Sequence, residues 1–207
     1  VYTKWPENTA SRYYNDVETV ISVQPPLGYI VPAQWSAVLD VLAAHQIPLQ
    51  RLTRPLSQIF EMYRLQDVRF RTSSYEGRQT VTCSAQSVRI KATFEANDVF
   101  VSLKSPKAKL IMYLLEPQSP DALLGWGFFN TIFEDKEYFE DYVMEPMAQQ
   151  MLKMDTTLAN HYCLKLAQDS LFAASGRARL HFFYEESPYF DEEKNLYPVA
   201  RVLNTIE

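Results

Sequence analysis

The sequence predicts an α+β fold, mainly an antiparallel β-sheet or sandwich, with one early βαβ-like unit and a helical segment packed on it. Three observations lead to this class. Short runs rich in β-branched or alternating apolar residues fill the first half of the 207-residue chain. Helical periods dominate residues 120–175, and strand patterns return near the end. Strands followed by helices and then by strands again are typical of α+β domains.

The first predicted element is the βαβ-like unit. Residues 17–24, VETVISVQ, are rich in β-branched residues and predict a strand that ends at Pro25 and Pro26, because proline cannot donate to a sheet ladder. After Gly28, YIVP leads into AQWSAVLDVLAAH, whose apolar residues recur at helical spacing. A short strand at residues 48–52, PLQRL, completes the unit.

An antiparallel sheet is predicted to follow. Residues 59–72, IFEMYRLQDVRFRT, alternate in polarity, so a strand is expected here. Because side chains on a strand alternate between faces, Phe60, Met62, Val68 and Phe70 are expected on one face.

Three further strands are predicted before the helical half. The loop SSYEGRQ leads into TVTCSAQSVRIKATFEAN, which also alternates in polarity. A turn at Asn97 and Asp98 precedes the strand DVFVSL. The apolar run LIMYLL, residues 110–115, has the length of a strand.

The second half carries three stretches with helical periods, ALLGWGFFNTIF, KEYFEDYVMEPMAQQMLKM and TTLANHYCLKLAQDSLFAAS. Residues 178–187, ARLHFFYEES, and residues 197–203, YPVARVL, are predicted to be strands. No internal repeat or flexible linker interrupts the pattern. A single domain over residues 1–207 is therefore predicted, with residues 1–15 as an extended N-terminal segment.

Composition and charge exclude several classes of function. The formal net charge is −5, and a mildly acidic surface repels phosphate backbones, so no nucleic-acid partner is expected. No apolar run approaches the roughly 20 residues that a membrane span needs. The chain has only 5 glycines, mostly scattered, so neither nucleotide-binding fingerprint is present in the sequence.

Histidine and cysteine spacing predicts no metal site and no cofactor in this chain. His45, His161 and His181 have no acid or histidine at a ligand offset. Cys83 and Cys163 match no metal or redox spacing, and buried free thiols are favoured over a disulfide.

Two carboxylates lie beside an aromatic cluster in residues 113–130, YLLEPQSPDALLGWGFFN. Residues 119–121, Ser-Pro-Asp, have the order of a helix N-terminus, with Asp121 in the first turn. Glu116 precedes Pro117, which favours an extended conformation at a strand end. Structural roles therefore explain both acids more simply than a catalytic pair does.

The same stretch, followed by FEDKEYFEDYVMEPMAQQML, resembles the C-terminal region of bacterial M14-family zinc carboxypeptidase-like proteins. In those proteins a strand ends in L-E-P-x-S-x-D and a W-x-F-F segment follows. The resemblance extends over GYIVPAQWSAVLDVLAAHQIPLQRL upstream, and over ARLHFFYEESPYFD and NLYPVARVL downstream, so it covers about residues 17–203. Gly127 departs from the pattern, which has a polar residue, often Asn, at this place.

The resemblance implies two domains in the parent protein, of which only the other one is catalytic. The family's catalytic domain holds zinc on an H-x-x-E motif and a distant His, with an Arg for the substrate carboxylate and a Glu as general base. This chain contains no H-x-x-E. The resemblance thus implies a non-catalytic C-terminal domain, whose partner is the zinc-containing peptidase domain of the same parent chain. It also implies a secreted or periplasmic location.

The leading hypothesis is an accessory domain that packs on or stabilises the peptidase domain and shapes substrate access. A glycan- or peptide-binding module, which would use the abundant aromatic rings, is the first alternative. An independent hydrolase using Glu116 and Asp121 is the second. The residues expected to make binding or interdomain contacts are Glu116, Asp121, Trp126, Phe129 and Asn130.

Overall fold

A computed structural model describes residues 10–16, 18–134 and 138–204. Within these ranges the fold is α+β, as predicted, with one six-stranded antiparallel sheet and six α-helices. The strands are β1 (Gly28–Val31), β2 (Gln50–Arg51), β3 (Leu56–Phe70), β4 (Val81–Phe94), β5 (Val99–Ser102) and β6 (Ala200–Val202). The helices are α1 (Ser36–Ala44), α2 (Ala108–Leu115), α3 (Asp141–Met154), α4 (Thr156–Gln168), α5 (Ser170–Ala174) and α6 (Gly176–Glu185), with a 3-10 turn at Asn130–Phe133.

The strand order in the sheet is β2-β5-β1-β6-β3-β4. Both β1 and β2 pair antiparallel with β5, so they run parallel to each other with β5 between them. The predicted βαβ-like unit is therefore present in a split form. Its two parallel strands are joined by α1 and separated by an antiparallel strand.

The sheet is strongly curled. Residues 95–98 alone join β4 to β5, although three strands lie between them in the sheet. Since neighbouring strands are about 4.8 Å apart, a flat sheet would need a much longer connection. The buried Asp98 carboxylate fixes this short turn by accepting hydrogen bonds from the N–H groups of Ala33 and Glu95, each at 2.8 Å.

Apolar side chains fill both faces of the sheet. On the concave face, the inner cluster consists of Ile30, Phe60, Met62, Phe94, Ala200 and Val202. On the other face, α1, α2 and the turns that follow α2 cover the outer cluster, which includes Tyr29, Val38, Leu42, Tyr63, Leu65, Ile111, Leu115, Leu124 and Phe129. The core on both faces of the sheet is therefore built from parts of the chain that are far apart in sequence.

Helices α3 to α6 share a separate aromatic cluster. Its buried members are Phe139, Met144, Ala148, Phe172, Phe182, Phe183 and Tyr184. The side chains of Asp155 and Asp169 cap α4 and α5 by accepting backbone hydrogen bonds at their first turns. The predicted helical character of residues 141–174 is confirmed.

The predicted strand over residues 17–24 is wrong for residues 18–24, while Val17 lies outside the described residues. Val20 is 91% exposed and Ile21 is 50% exposed. The chain joins the sheet at Leu27, whose N–H donates to the carbonyl of Val202. Strand propensity alone did not produce a strand here, because the described chain supplies no neighbouring strand for this segment. Residues 10–15 likewise form no helix or strand.

Two predicted strands are helices. The run LIMYLL belongs to α2, which buries Ile111, Leu114 and Leu115 while Tyr113 stays 42% exposed. The buried residues have the i, i+3, i+4 spacing of a helix. The polar residues that would mark the opposite face of this helix lie outside the run, so the run alone does not identify the helix. Residues 178–185 belong to α6, where consecutive aromatic residues are buried by the surrounding helices.

The predicted helix over ALLGWGFFNTIF is a series of turns that ends in the 3-10 turn at Asn130–Phe133. Residues 119–121 therefore begin no helix, and Asp121 is exposed in a turn. Gly127 supplies the physical reason, since its φ of +78° is not helical and lies in the left-handed region.

A β-bulge separates Val68 and Phe70 from Phe60 and Met62. The pairing of β3 with β4 shifts between Gln66 and Arg69, where Asp67 has a φ of +52°. The extra residue reverses the alternation, so Val68 packs on the outer cluster whereas Phe60 and Met62 lie in the inner one.

Both cysteines are free, as predicted. Cys83 is half-buried beside the outer cluster, and burial raises the pKa of its thiol. Cys163 is exposed on α4, which corrects the expectation that it is buried.

Candidate functional site

Glu116 is a buried carboxylate at the end of α2. Its backbone is extended, with φ −76° and ψ 123°, as the following proline predicts. Only 6% of the residue is exposed. Burial of an unpaired carboxylate is very costly, so the partners of Glu116 define this part of the molecule.

Two tyrosine hydroxyls and one guanidinium surround the Glu116 carboxylate. Tyr29 donates to Oε1 over 2.6 Å, and Tyr63 donates to Oε2 over 2.8 Å. Arg201 Nε lies 3.1 Å from Oε1 but outside hydrogen-bond alignment, so this contact is an ion pair. We call these four residues, together with Glu61, the buried ion network.

The register of the sheet explains why these residues meet. Arg201 on β6 lies directly opposite Tyr29 on β1 and opposite Glu61 on β3. Directly opposed residues project from the same face, and here that face is the one that α2 covers. Arg201 forms an ion pair with Glu61 and donates to the carbonyl of Gln24. One guanidinium thus joins two strands, the end of α2 and the N-terminal segment.

The environment shifts the pKa values of the whole network. Burial raises the pKa of Tyr29 and Tyr63, and the negative charge of Glu116 raises both further. Burial also raises the pKa of Glu116, while the two tyrosine hydrogen bonds act in the opposite direction. Burial lowers the pKa of Arg201. Each pKa shift reflects the free-energy cost of placing a charge in the core. The contacts among these residues offset that cost.

A third tyrosine belongs to the same region. Tyr197 is 1% exposed and donates its hydroxyl to the carbonyl of Leu115 over 2.9 Å. Burial raises its pKa well above the usual value.

We expect Tyr29, Tyr63 and Tyr197 to stay protonated at a pH of about 10, where exposed tyrosines ionise. Because their pKa values are raised in the folded state, their contribution to stability is fully present below the unfolded pKa and is lost as the pH rises above it. An alkaline titration followed by tyrosinate absorbance tests this. Tyr29→Phe should leave the amplitude of the tyrosinate transition near a pH of about 10 unchanged, and a decrease would contradict the prediction.

The buried ion network is suited to holding elements together. Both oxygens of Glu116 are already bound by donors, so this carboxylate is not free to take a proton from a substrate. Asp121 is exposed in a turn and makes no contact with the network. The two acids therefore lie in different environments, which does not support a hydrolase that uses them as a pair.

The network approaches the surface beside a cavity of about 290 Å³. Arg201 and Glu61 line this cavity, together with Ile59, Arg89 and Leu203. Ile59 is 68% exposed, so apolar and charged groups alternate at the opening.

Trp126 and Asn130 lie at a second place, the tip of the β3–β4 hairpin. The Trp126 and Tyr75 rings are 6.1 Å apart, and the Asn130 amide donates to the carbonyl of Gln79 over 2.9 Å. The turns after α2 thus pack on the hairpin tip. We call the aromatic residues here the tip cluster: Phe70, Tyr75, Trp126, Phe128 and Phe133.

Two arginines stack on the tip cluster. The guanidinium carbon of Arg71 lies 5.0 Å from the Tyr75 ring centroid, and that of Arg78 lies 3.8 Å from the Phe128 centroid. Both arginines are exposed, and in the described residues neither forms an ion pair with a carboxylate. Phe70 and Tyr75 are 44% and 45% exposed. The tip therefore combines accessible aromatic surface with two available cations.

Gly127 allows the turns after α2 to approach the hairpin. A Cβ at this position would overlap the carbonyl oxygen of Gln79, and the φ of +78° is unfavourable for other residues. Glycine at position 127 thus has a local steric reason.

Phe129 belongs to the core, in contrast to the expectation of a binding role. It is fully buried, and its ring lies 4.8 Å from that of Trp35 and 5.0 Å from that of Tyr197. The five predicted contact residues are therefore divided. Glu116 and Phe129 are internal, Asp121 is exposed in a turn, and Trp126 and Asn130 meet the hairpin tip.

A cleft of about 810 Å³ opens on the inner side of the curled sheet. Met62 and Phe94 contribute apolar surface to it, and Arg64, Glu95 and Glu193 contribute charge. Arg64 donates to the carbonyls of Glu192 and Lys194, so its guanidinium is already engaged.

In the ranges that the structure describes, no three His, Cys, Asp or Glu side chains come together in a way that could hold a metal ion. No helix in those ranges combines the length and hydropathy needed to span a bilayer. No protein family, curated protein or solved structure compared with this chain matches it.

The sequence patterns missed most of the buried ion network. Arg201 is a single charge inside the apolar run YPVARVL, and this signal could have identified it. Glu61 carries no such signal, because β3 also contains Arg64, Asp67 and Arg69. Tyr29 and Tyr63 carry no comparable signal, because tyrosine is common in strands.

Proposed function

We propose that this chain is a non-catalytic accessory C-terminal domain of an M14-like zinc metallocarboxypeptidase. It packs on or stabilises the peptidase domain and shapes the approach of substrate. Zinc belongs to that partner domain, and the parent protein is secreted or periplasmic. The resemblance of residues 17–203 to this family motivates the proposal.

The single observation that carries the proposal is the tip cluster. Trp126 and Asn130 come from the stretch that resembles the family most closely, and they build this surface together with the hairpin. Aromatic rings and arginines are enriched at the centres of protein interfaces, where they dominate the binding energy. Arg71 and Arg78 remain available for carboxylates on a partner.

The first test is the coding sequence upstream of Val1. We expect it to encode an H-x-x-E motif with a later His and Glu. The absence of this motif from the parent gene would overturn the proposal.

The second test measures binding between the separately produced peptidase domain and this chain by calorimetry. Trp126→Ala is expected to weaken binding by about tenfold or more, as truncation of an interface anchor does. Tyr142→Ala is the control, because it removes an exposed ring from α3. A complete lack of binding, or equal effects of the two variants, would count against this interface.

A peptide- or glycan-binding module is the second candidate. The cleft of about 810 Å³, which is lined by both apolar and charged groups, favours it. The tip cluster favours it less, since the Tyr75 and Trp126 rings are tilted by 34° and form no flat platform for a sugar. Saturable binding of an oligosaccharide or peptide that is lost on Met62→Arg would support this candidate.

A further inference from the structure

The outer edge of β4 is open. β4 is the last strand of the sheet and pairs with β3. On β3, the Leu65 N–H donates to Asn195 and the Tyr63 carbonyl accepts from Tyr197, so odd-numbered residues face away from β4. From Leu56 to Gln66, before the bulge, even-numbered residues of the two strands therefore bond to each other. The odd-numbered residues of β4 direct their N–H and C=O groups outward.

This edge is long and lightly protected. Its outward residues are Cys83, Ala85, Ser87, Arg89, Lys91 and Thr93, and among the described residues the backbone groups of these six have no partner across the edge. Natural proteins protect such edges with short strands, proline or charges, because an open edge accepts another strand. β4 has 14 residues without proline, and its two charges, Arg89 and Lys91, are both positive.

The segment over residues 16–24, here called the arm, has complementary properties, and its described residues are Asp16 and residues 18–24. Its sequence contains acids two residues apart, Asp16 and Glu18, followed by β-branched residues. Both acids are exposed, and Val20 is 91% exposed. In the described residues no ion pair involves Asp16, Glu18, Arg89 or Lys91. The arm therefore has the composition of a strand, but within the described part of its own chain it has no strand partner.

We propose that β4 is a strand-addition site and that its occupant is the arm of a second copy of this chain. An antiparallel register that sets Asp16 opposite Lys91 also sets Glu18 opposite Arg89 and Val20 opposite Ser87. Both acids then face a cation on the same side of the sheet, because residues two apart share a face. Two copies that exchange arms form a closed twofold dimer.

The arm of the same chain does not satisfy this register. Arg201 binds the Gln24 carbonyl. Arg201 is paired with Glu61 on β3, and Glu61 is paired with Arg89 on β4, so these three residues lie side by side across the sheet. The register would place Gln24 opposite Cys83, which is six residues, or about 20 Å, along β4 from Arg89. Direct pairing of β4 with β4 of a second copy is also disfavoured, because it would place Arg89 and Lys91 of both copies along one strand pair.

The experiment is a measurement of molar mass by light scattering over a concentration series of the 207-residue chain. We expect a dimer whose dissociation constant rises about tenfold when two charge pairs are reversed. The arm variant Asp16→Lys with Glu18→Lys leaves the sheet intact. The edge variant Arg89→Glu with Lys91→Glu should have the same effect, and the combined variant should restore the dimer.

The matched control is Lys104→Glu with Lys109→Glu, which changes the net charge as the edge variant does, at exposed positions away from β4. It should leave the dimer unchanged. An excess of the arm peptide, YNDVETVISVQ, should dissociate the dimer by competing for β4. A chain that is monomeric at every concentration overturns the proposal. So does a dimer that ignores either charge reversal or the peptide.

Discussion

Replacing Arg201 with methionine is expected to destabilise the fold by about 3–5 kcal/mol, because it leaves the buried carboxylate of Glu116 and the half-buried carboxylate of Glu61 without their shared cation. Methionine keeps an unbranched apolar stem like that of arginine, so most of the packing of the stem is retained. The change also removes the donor to the Gln24 carbonyl. Since domains of this size are stable by about 5–15 kcal/mol, this single change removes a large part of the total.

Urea unfolding followed by circular dichroism measures this loss. The matched control is Arg69→Met, which removes an exposed cation from the same sheet and should change the free energy of unfolding by less than about 0.5 kcal/mol. In a Glu116→Gln background the cost of Arg201→Met should fall, because one of the two orphaned charges is absent. A loss below about 1 kcal/mol for Arg201→Met would show that water or rearrangement compensates the network.

The parts of the fold that could be predicted are those whose signals are local. The hairpin between β3 and β4 turns at Glu76 and Gly77, both with positive φ, inside the loop that the sequence marks as polar. Asn97 and Asp98 form the predicted turn before β5. Alternation and turn chemistry act over a few residues, so these elements can be predicted without knowledge of their neighbours.

The elements that could not be predicted have a burial pattern set by distant parts of the chain. An apolar run such as LIMYLL fits a buried strand or a buried helix equally well, and only the packing of α2 on the outer cluster decides between them. In α6, Phe182, Phe183 and Tyr184 are all buried, because other helices surround this one. The bulge at Asp67 adds a residue that alternation in a single strand cannot reveal.

Most of the buried ion network likewise could not be predicted from local sequence. Pro117 predicts the extended backbone of Glu116, and this was confirmed. Its partners come from β1, β3 and β6, which become neighbours only through the strand order of the sheet. A carboxylate can therefore be located from local sequence, whereas the tyrosines that bind it depend on the register of strands far apart in the chain.

Phe129→Ala is expected to cost about 3–5 kcal/mol of stability, because the ring is fully buried between Trp35 and Tyr197 and its removal leaves a cavity. Trp126 lies three residues earlier but belongs to the partly exposed tip cluster. Trp126→Ala should therefore cost less than half as much stability.

For both variants we would measure the free energy of unfolding and the affinity for the peptidase domain. Together these measurements distinguish a role in the core, expected of Phe129, from a role in binding, expected of Trp126. Phe129→Ala should lower stability, while its folded fraction binds normally. Trp126→Ala should weaken binding while most of the stability remains, since interface anchors act through the partner rather than the core. If Trp126→Ala destabilises the chain as strongly as Phe129→Ala, the tip cluster is part of the core. The aromatic residues of this stretch then stabilise the fold alone, and the interface must lie elsewhere.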